Sequence, residues 1–353
     1  MLRYWKTVRV LLLAGWLLVL WWGGHWSAER FAAAAARWRP APPAPFSLDE
    51  LRHPARGCYL GVYMPFVPQE MRLLEALERR VGRGFTMISL YQAWGGRREQ
   101  QFDPTPLNRI LEHGAVPVLT WEPWVTDFEG HGLPPMPDRQ FRNLQAIARG
   151  DYDFYLRRWA RDARRWGRPL MIRLGHEMNA TWYPWGERAY GNTAEDYVAM
   201  WRHVVNVFRQ EGANNVLWIW SIAQRPFHGL YPGGMWVDWV GVTVLNFGTV
   251  PPGWRWRSFP ELFRPFYREL VLLNKPIMIA EVGSAEEGGD KAAWVREAML
   301  SLKTEFSAVR SFMWFNNAQD IYWPINWSLT SSPDVVQAFR RAAADPYFIA
   351  PPR

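Results

Sequence analysis

The sequence predicts a (β/α)8 TIM barrel of the α/β class, set behind an N-terminal transmembrane anchor and a Pro/Ala-rich linker. Three observations predict it. Eight short apolar runs recur along the chain. Segments of helical period lie between several of them. The 353 residues hold one barrel of about 250 residues with room for a leader.

The leader comes first. Arg3, Lys6 and Arg9 precede an uncharged stretch from Val10 to Trp26, with His25 neutral. At about 17 residues it reaches the lower end of the spanning range. Basic residues on the N-terminal flank keep that end cytoplasmic, so the rest of the chain is expected outside, periplasmic or at the cell surface. A cleaved signal peptide is the competing expectation, and secretion would follow from it. Residues 1–28 are thus the anchor or signal, 29–56 the linker and 57–348 the barrel. Pro40, Pro42, Pro43, Pro45 and Pro54 predict a semi-rigid, extended linker.

The eight runs are Tyr59–Met64, Phe85–Tyr91, Val116–Trp121, Leu170–Leu174, Val216–Ser221, Trp239–Leu245, Ile277–Glu281 and Val309–Phe315. Most are continuously apolar, as parallel strands buried on both faces are. After Thr193, which opens a capping-box pattern, apolar residues fall at Tyr197, Trp201, Val204, Val205 and Phe208. After Asp290 they fall at Trp294, Ala298, Met299 and Leu302. A doubly wound open sheet is the alternative, but eight strands is the number that closes a barrel. Residues 124–149 are expected to form a long loop after the third strand.

Composition narrows the chemistry. Cys58 is the only cysteine, which excludes an intrachain disulfide, a zinc ribbon and a Cys-x-x-Cys redox pair. The net charge of +8 is spread over the chain without a basic block, so no nucleic-acid partner is expected. A basic surface binder remains a reading that rests on charge alone. The 24 tryptophans are the unusual count. Indole rings fill cores and also stack on the C–H faces of sugars, and about half are assigned to each role.

Catalytic groups of such a barrel sit at the C-terminal ends of its strands. Glu177 follows the fourth run and Glu281 ends the seventh. Hydrolysis of a glycosidic bond needs one protonated carboxyl for the leaving oxygen and one carboxylate at the anomeric carbon. Two glutamates at strand ends meet that need, although either alone suits a salt bridge or a helix start. Trp182, Tyr183 and Trp185 follow Glu177 closely and suit a sugar subsite. His176, Arg173 and Asn179 are candidate hydrogen-bonding partners of substrate or carboxylate, and Trp124 opens the long loop toward the cleft. Other chemistries find no footing. Ala180 stands where a zinc His-Glu-x-x-His helix needs its second histidine, no Gly-x-Ser-x-Gly elbow occurs, and no Gly-Lys pair exists to make a P-loop. No metal and no cofactor are expected. The expected partners are a polysaccharide and, through the anchor, a membrane, with the chain a monomer.

The segment from His176 to Gly186 (HEMNATWYPWG) resembles the acid/base signature of glycoside hydrolase family 26, which holds β-1,4-mannanases with some β-glucanases and β-xylanases. The likeness runs from about Tyr59 to Phe348 and takes in 216–221, 231–233, 237–241, 275–281, Lys291 with Trp294, and 314–316. It implies Glu177 as acid/base, Glu281 as nucleophile, and Trp182, Trp185 and Trp314 as sugar-binding residues of a retaining endo-hydrolase, with mannan the default substrate. Ala180 replaces the family's usual Gly, and Ser221-Ile222-Ala223-Gln224 its usual Ser-Pro-Asn. Leu245 stands where the family carries a Tyr that hydrogen-bonds the nucleophile. Leucine donates no hydrogen bond, so Glu281 is expected to lack one contact worth about 1 kcal/mol or more. That loss motivates an alternative: a membrane-tethered glycan-binding pseudoenzyme assisting polysaccharide synthesis or export.

Overall fold

A computed structural model describes residues 41–136 and 138–351. The anchor assigned to residues 1–28 lies outside the described residues. Among the described residues no helix is long and apolar enough to cross a membrane.

The eight expected runs are eight parallel strands: β1 (Cys58–Tyr63), β2 (Met87–Ala93), β3 (Val116–Glu122), β4 (Leu170–Leu174), β5 (Val216–Ile222), β6 (Trp239–Asn246), β7 (Ile277–Ser284) and β8 (Val309–Phe315). Each pairs with the next, and β1 pairs with both β2 and β8, which closes the barrel. A two-residue strand, β9 (Phe348–Ile349), adds to the start of β1.

The helices between them are α1 (Leu48–Arg52), α2 (Met71–Val81), α3 (Pro104–Glu112), α4 (Asn143–Arg149), α5 (Asp153–Trp166), α6 (Ala194–Gln210), α7 (Phe259–Leu270), α8 (Lys291–Thr304) and α9 (Pro333–Ala343). The two helix starts read from sequence are present. Thr193 and Asp196 form a reciprocal capping box on α6, and Asp290 caps α8. Each cap satisfies backbone donors that a helix end leaves free, about 1 kcal/mol apiece.

Strand alternation sorts the core into two layers. Tyr59, Met87, Val118, Met171, Ile219, Trp239, Met278 and Met313 face inward and fill the barrel. Leu60, Ile88, Leu119, Ile172, Trp220, Val240, Ile279 and Trp314 face outward into the helix layer. Gly61 is required by this packing, since a Cβ there would lie 1.9 Å from Met313 Sδ.

Part of the expected linker is folded against the barrel. The prolines predict an extended spacer over 29–56, but 48–52 form α1, whose Leu51 is fully buried among the inward-facing residues. Trp239 Nε1 donates to Leu51 O at 2.7 Å, and Phe46 meets Tyr59 edge-on. Apolar side chains at 46, 48 and 51 make burial favourable, about 1.5–3 kcal/mol for a Leu. They plug the base of the barrel. The expected loop 124–149 likewise contains α4, whose Leu144 and Ile147 are buried.

The β6–β7 ladder carries one irregularity that aims the site. Val242 pairs with Ile279, but Thr243 pairs with Glu281, so Ala280 is an extra residue on β7. Ile277, Ile279 and Val282 pack in the outer layer, and Met278 and Ala280 in the inner one. Strict alternation would turn Glu281 outward with Ile279. The bulge instead turns it into the barrel mouth, as bulges beside functional sites do.

Candidate active site

The inward positions become polar toward the C-terminal end of the barrel. Tyr91 on β2, Thr120 and Glu122 on β3, Arg173 on β4, Ser221 on β5, Thr243 on β6 and Glu281 on β7 follow the apolar layers beneath. Two carboxyls, Glu177 and Glu281, anchor this layer, and their surroundings differ.

Glu281 sits in a cationic and donor-rich setting. Arg173 Nη2 lies 2.5 Å from its Oε1, and the Tyr91 hydroxyl donates to the same oxygen at 2.7 Å. Arg173 is buried and is held in turn by Thr120 Oγ1 at 3.0 Å and by the Tyr91 oxygen at 3.0 Å. A buried guanidinium is stable here because it is paired and hydrogen-bonded. Of the two partners expected for Arg173, substrate or carboxylate, it takes the carboxylate of Glu281.

Glu177 lies one turn beyond β4, where the chain bends sharply. Gly175 has a φ of 45° and Glu177 a φ of 56°, a left-handed conformation that costs a non-glycine residue about 1–2 kcal/mol. Surrounding bonds fix the bend. Glu177 N donates to Ser221 O at 2.8 Å, and Asn179 Oδ1 accepts from Ala223 N at 3.0 Å. Asn179 Nδ2 also donates to Gln224 O at 2.5 Å, so Asn179 pins this turn to the end of β5 rather than facing substrate.

Burial and the neighbouring Glu281 charge raise the Glu177 carboxyl to about 7. Two donors moderate the rise. Thr243 Oγ1 donates to Oε1 at 2.5 Å and the Trp182 indole donates to Oε2 at 2.9 Å. Thr243 is also the ladder partner of Glu281. One residue thus touches one carboxyl and neighbours the other, which brings the two together across the mouth.

The remaining expected residues divide clearly. Trp182 is 54% exposed and presents its ring at the mouth. Trp124 is partly exposed, with its indole donating to Glu122 Oε2 at 3.1 Å. Trp185 and Trp314 are fully buried and offer no face to a sugar. Trp185 donates to His176 O and stacks beneath Tyr183. Trp314 faces the helix layer because inward positions on β8 are 311, 313 and 315. His176 is buried too, its Nε2 3.2 Å from the Tyr183 hydroxyl, and burial followed by the Arg173 charge keeps it neutral. It supports the ring layer under the site instead of reaching a sugar hydroxyl.

Sequence reasoning missed four members of the site: Tyr91, Thr243, Glu122 and Tyr63. The signal for Tyr91 was its parity, since Met87, Ser89 and Tyr91 share one face of β2. Tyr63 lies edge-on to Tyr91 and stacks on Phe315. Leu245, expected to leave Glu281 without a tyrosine, packs with Trp327, Phe247 and Phe315. Tyr91 supplies the donor across the barrel mouth.

Known proteins resemble the chain in sequence and in fold. The family description "Glycosyl hydrolase family 26" matches residues 155–320, the span that carries both glutamates. Over these residues the chain is similar to glycoside hydrolase family 26. It is 31% identical over 305 residues, 84% of its length, to Endoglucanase H of Acetivibrio thermocellus. It is 28% identical over 127 residues, 34% of its length, to Mannan endo-1,4-beta-mannosidase A and B of Caldalkalibacillus mannanilyticus. The chain spans 31% and 23% of the length of these two relatives. Among solved structures it is similar to a family 26 β-mannanase from Bacteroides ovatus, with a TM-score of 0.64, 16% identity and coverage of 86% of this chain and 93% of that one. The YdhT protein from Bacillus subtilis gives a TM-score of 0.62, also at 16% identity, with 86% and 90% covered. At that identity the likeness is one of fold.

Proposed function

We propose that this chain is an endo-acting, retaining glycoside hydrolase of β-linked polysaccharides, with Glu177 as general acid/base and Glu281 as nucleophile. The observation that carries the proposal is the opposed setting of two adjacent carboxyls. Glu281 is held by the Arg173 guanidinium and the Tyr91 hydroxyl, both on its Oε1, which fixes it in place for attack. Glu177 is buried and raised to about 7, which keeps the proton a general acid must give.

In the first step Glu177 protonates the departing glycosidic oxygen while Glu281 attacks the anomeric carbon. The aglycone leaves and a glycosyl ester forms on Glu281. Water then attacks the anomeric carbon, Glu177 takes its proton, and Glu281 leaves as carboxylate. Retention requires carboxyls about 5–5.5 Å apart, whereas inversion leaves about 6.5–9.5 Å for a water between them. Thr243 bonded to Glu177 and paired with Glu281 supports the shorter spacing. Arg173 and Tyr91 hold the Glu281 oxygen, and Trp182 stacks on the sugar beside Glu177.

The names of the relatives point to two substrates, a β-1,4-linked mannan and a glucan. Incubating the chain with mannan, mixed-linkage glucan and xylan, and measuring reducing ends, tests the proposal and ranks the substrates. Release from one of them that is lost in Glu177→Ala is expected. Release from none, or release that survives the substitution, overturns the proposal.

A further inference from the structure

The loop after β8 exposes three large hydrophobic residues in a row. Ile321 is 83% exposed, Tyr322 82% and Trp323 37%. Single exposed apolar residues need no explanation, but a contiguous trio marks a contact surface.

The loop is built to hold that trio outward. Trp327 N donates to Asn317 O at 2.8 Å, which closes residues 317–327 into a compact loop with neighbouring ends. Asp320 organises its tip. Its Oδ1 accepts from Tyr322 N at 2.8 Å and Trp323 N at 2.9 Å, and its Oδ2 accepts from Trp327 Nε1 at 2.9 Å. The buried Lys291 ammonium braces the base, donating to Asn326 O at 2.8 Å and Ser328 O at 3.0 Å. The backbone that carries the exposed rings is therefore fixed by polar bonds and not by burial of the rings. Such fixing removes ordering entropy from a later binding event.

The loop is continuous with the candidate cleft. It leaves the same C-terminal face as Glu281, and its closing residue Trp327 packs over Gly283, two residues beyond Glu281 on β7. Trp327 also meets Phe247 edge-on, and Phe247 meets Trp254, itself 50% exposed. Charge selects the occupant. The chain carries a net charge of +8, yet no Lys or Arg occurs between Arg310 and Arg340. A loop with no Lys or Arg of its own, carrying Asn317, Gln319 and the acidic Asp320, suits neither anionic lipid nor an acidic partner. It suits an uncharged polymer with alternating C–H and hydroxyl faces.

We infer that Tyr322 and Trp323, presented by the Asp320-tied loop, form an accessory platform for a neutral β-glycan chain running out of the cleft beyond the cleaved residue. The inference rests on the proposed glycan-directed function. Tyr322→Ala with Trp323→Ala removes the rings, while Asp320→Ala leaves them and unties the loop. Affinity electrophoresis of the full chain in the cold, through gels containing mannan, mixed-linkage glucan or no polymer, gives dissociation constants. For the polymer that the parent hydrolyses, the double variant is expected to bind about ten-fold more weakly and Asp320→Ala several-fold more weakly, about the loss of one hot spot. Equal retardation of parent and double variant, with the parent hydrolysing the polymer, overturns the platform and leaves the proposed function standing. A parent that neither binds nor hydrolyses any polymer overturns both. Loss in the double variant of binding to phosphatidylcholine vesicles, or of self-association, with glycan binding unchanged, also overturns the platform in favour of those occupants.

Discussion

The Tyr91 hydroxyl donates to Glu281 Oε1 at 2.7 Å across the barrel mouth, from a strand that neither adjoins β7 nor carries either glutamate. Burial and the Glu281 charge raise the Tyr91 phenol well above its usual value, so it stays a donor. Tyr91→Phe removes one hydrogen bond to a charged acceptor, about 1.5–3 kcal/mol. If that bond acts in catalysis, kcat/KM falls roughly 10- to 100-fold with the fold intact. Steady-state kinetics beside circular dichroism measure it. An unchanged kcat/KM removes Tyr91 from the mechanism.

The same relationship makes a tyrosine at position 245 superfluous. Leu245 packs in an apolar cluster with Trp327 and Phe247, and its Cδ2 lies near Gly283. Leu245→Tyr overpacks that cluster at a cost of about 1–3 kcal/mol. A lower melting temperature and no gain in kcat/KM are expected. A rise in kcat/KM would show that Tyr91 does not stand in for the missing side chain.

Activity is expected to fall as pH rises through about 7, because Glu177 must enter the first step protonated. The donors on its two oxygens favour the anion, so removing either one raises the carboxyl further. Trp182→Phe keeps a stacking ring but loses the indole N–H, and Thr243→Val loses the hydroxyl. In each variant the alkaline limb of the kcat/KM profile should move to higher pH. A shift to lower pH in both contradicts the assignment of Glu177.

Stability should report the same group. The fold favours neutral Glu177, so its contribution is complete below the ordinary carboxyl value of 4.5 and is lost as pH rises past about 7. Glu177→Gln carries no charge at any pH. It should match the parent near pH 4 and exceed it by up to about 3 kcal/mol near pH 8. Thermal melts at both values decide it, and a difference that does not change with pH counts against a buried, proton-holding Glu177.

The eight strands were legible because parallel strands buried on both faces leave continuous apolar runs, and Glu177 and Glu281 because polar residues interrupt two such runs at their ends. The rest depended on closure and parity. Tyr91 reads as an ordinary strand residue until closure through β8 and β1 brings β2 within reach of Glu281. The extra residue Ala280 is hidden inside an unbroken apolar run, so nothing local says which way Glu281 faces. Trp185 and Trp314 look like sugar platforms by composition. Parity on β8 sends Trp314 outward, and the turn after β4 folds Trp185 beneath Tyr183. Most described tryptophans, Trp94, Trp121, Trp159, Trp201 and Trp220 among them, are core residues, so the tryptophan count says more about packing than about glycans. Proline content marked the linker, but the apolar spacing of Phe46, Leu48 and Leu51 decided that its last part closes the barrel base.

The central claim is that Glu281 becomes covalently glycosylated while Glu177 serves as acid/base. Incubation of the active chain with 2-deoxy-2-fluoro mannosyl and glucosyl donors bearing a good leaving group slows the second step and traps that ester. Peptide mass spectrometry should then find one fluoroglycosyl unit on the peptide containing Glu281, on that side chain. An adduct on Glu177, or turnover of natural substrate with no adduct from either donor, contradicts it.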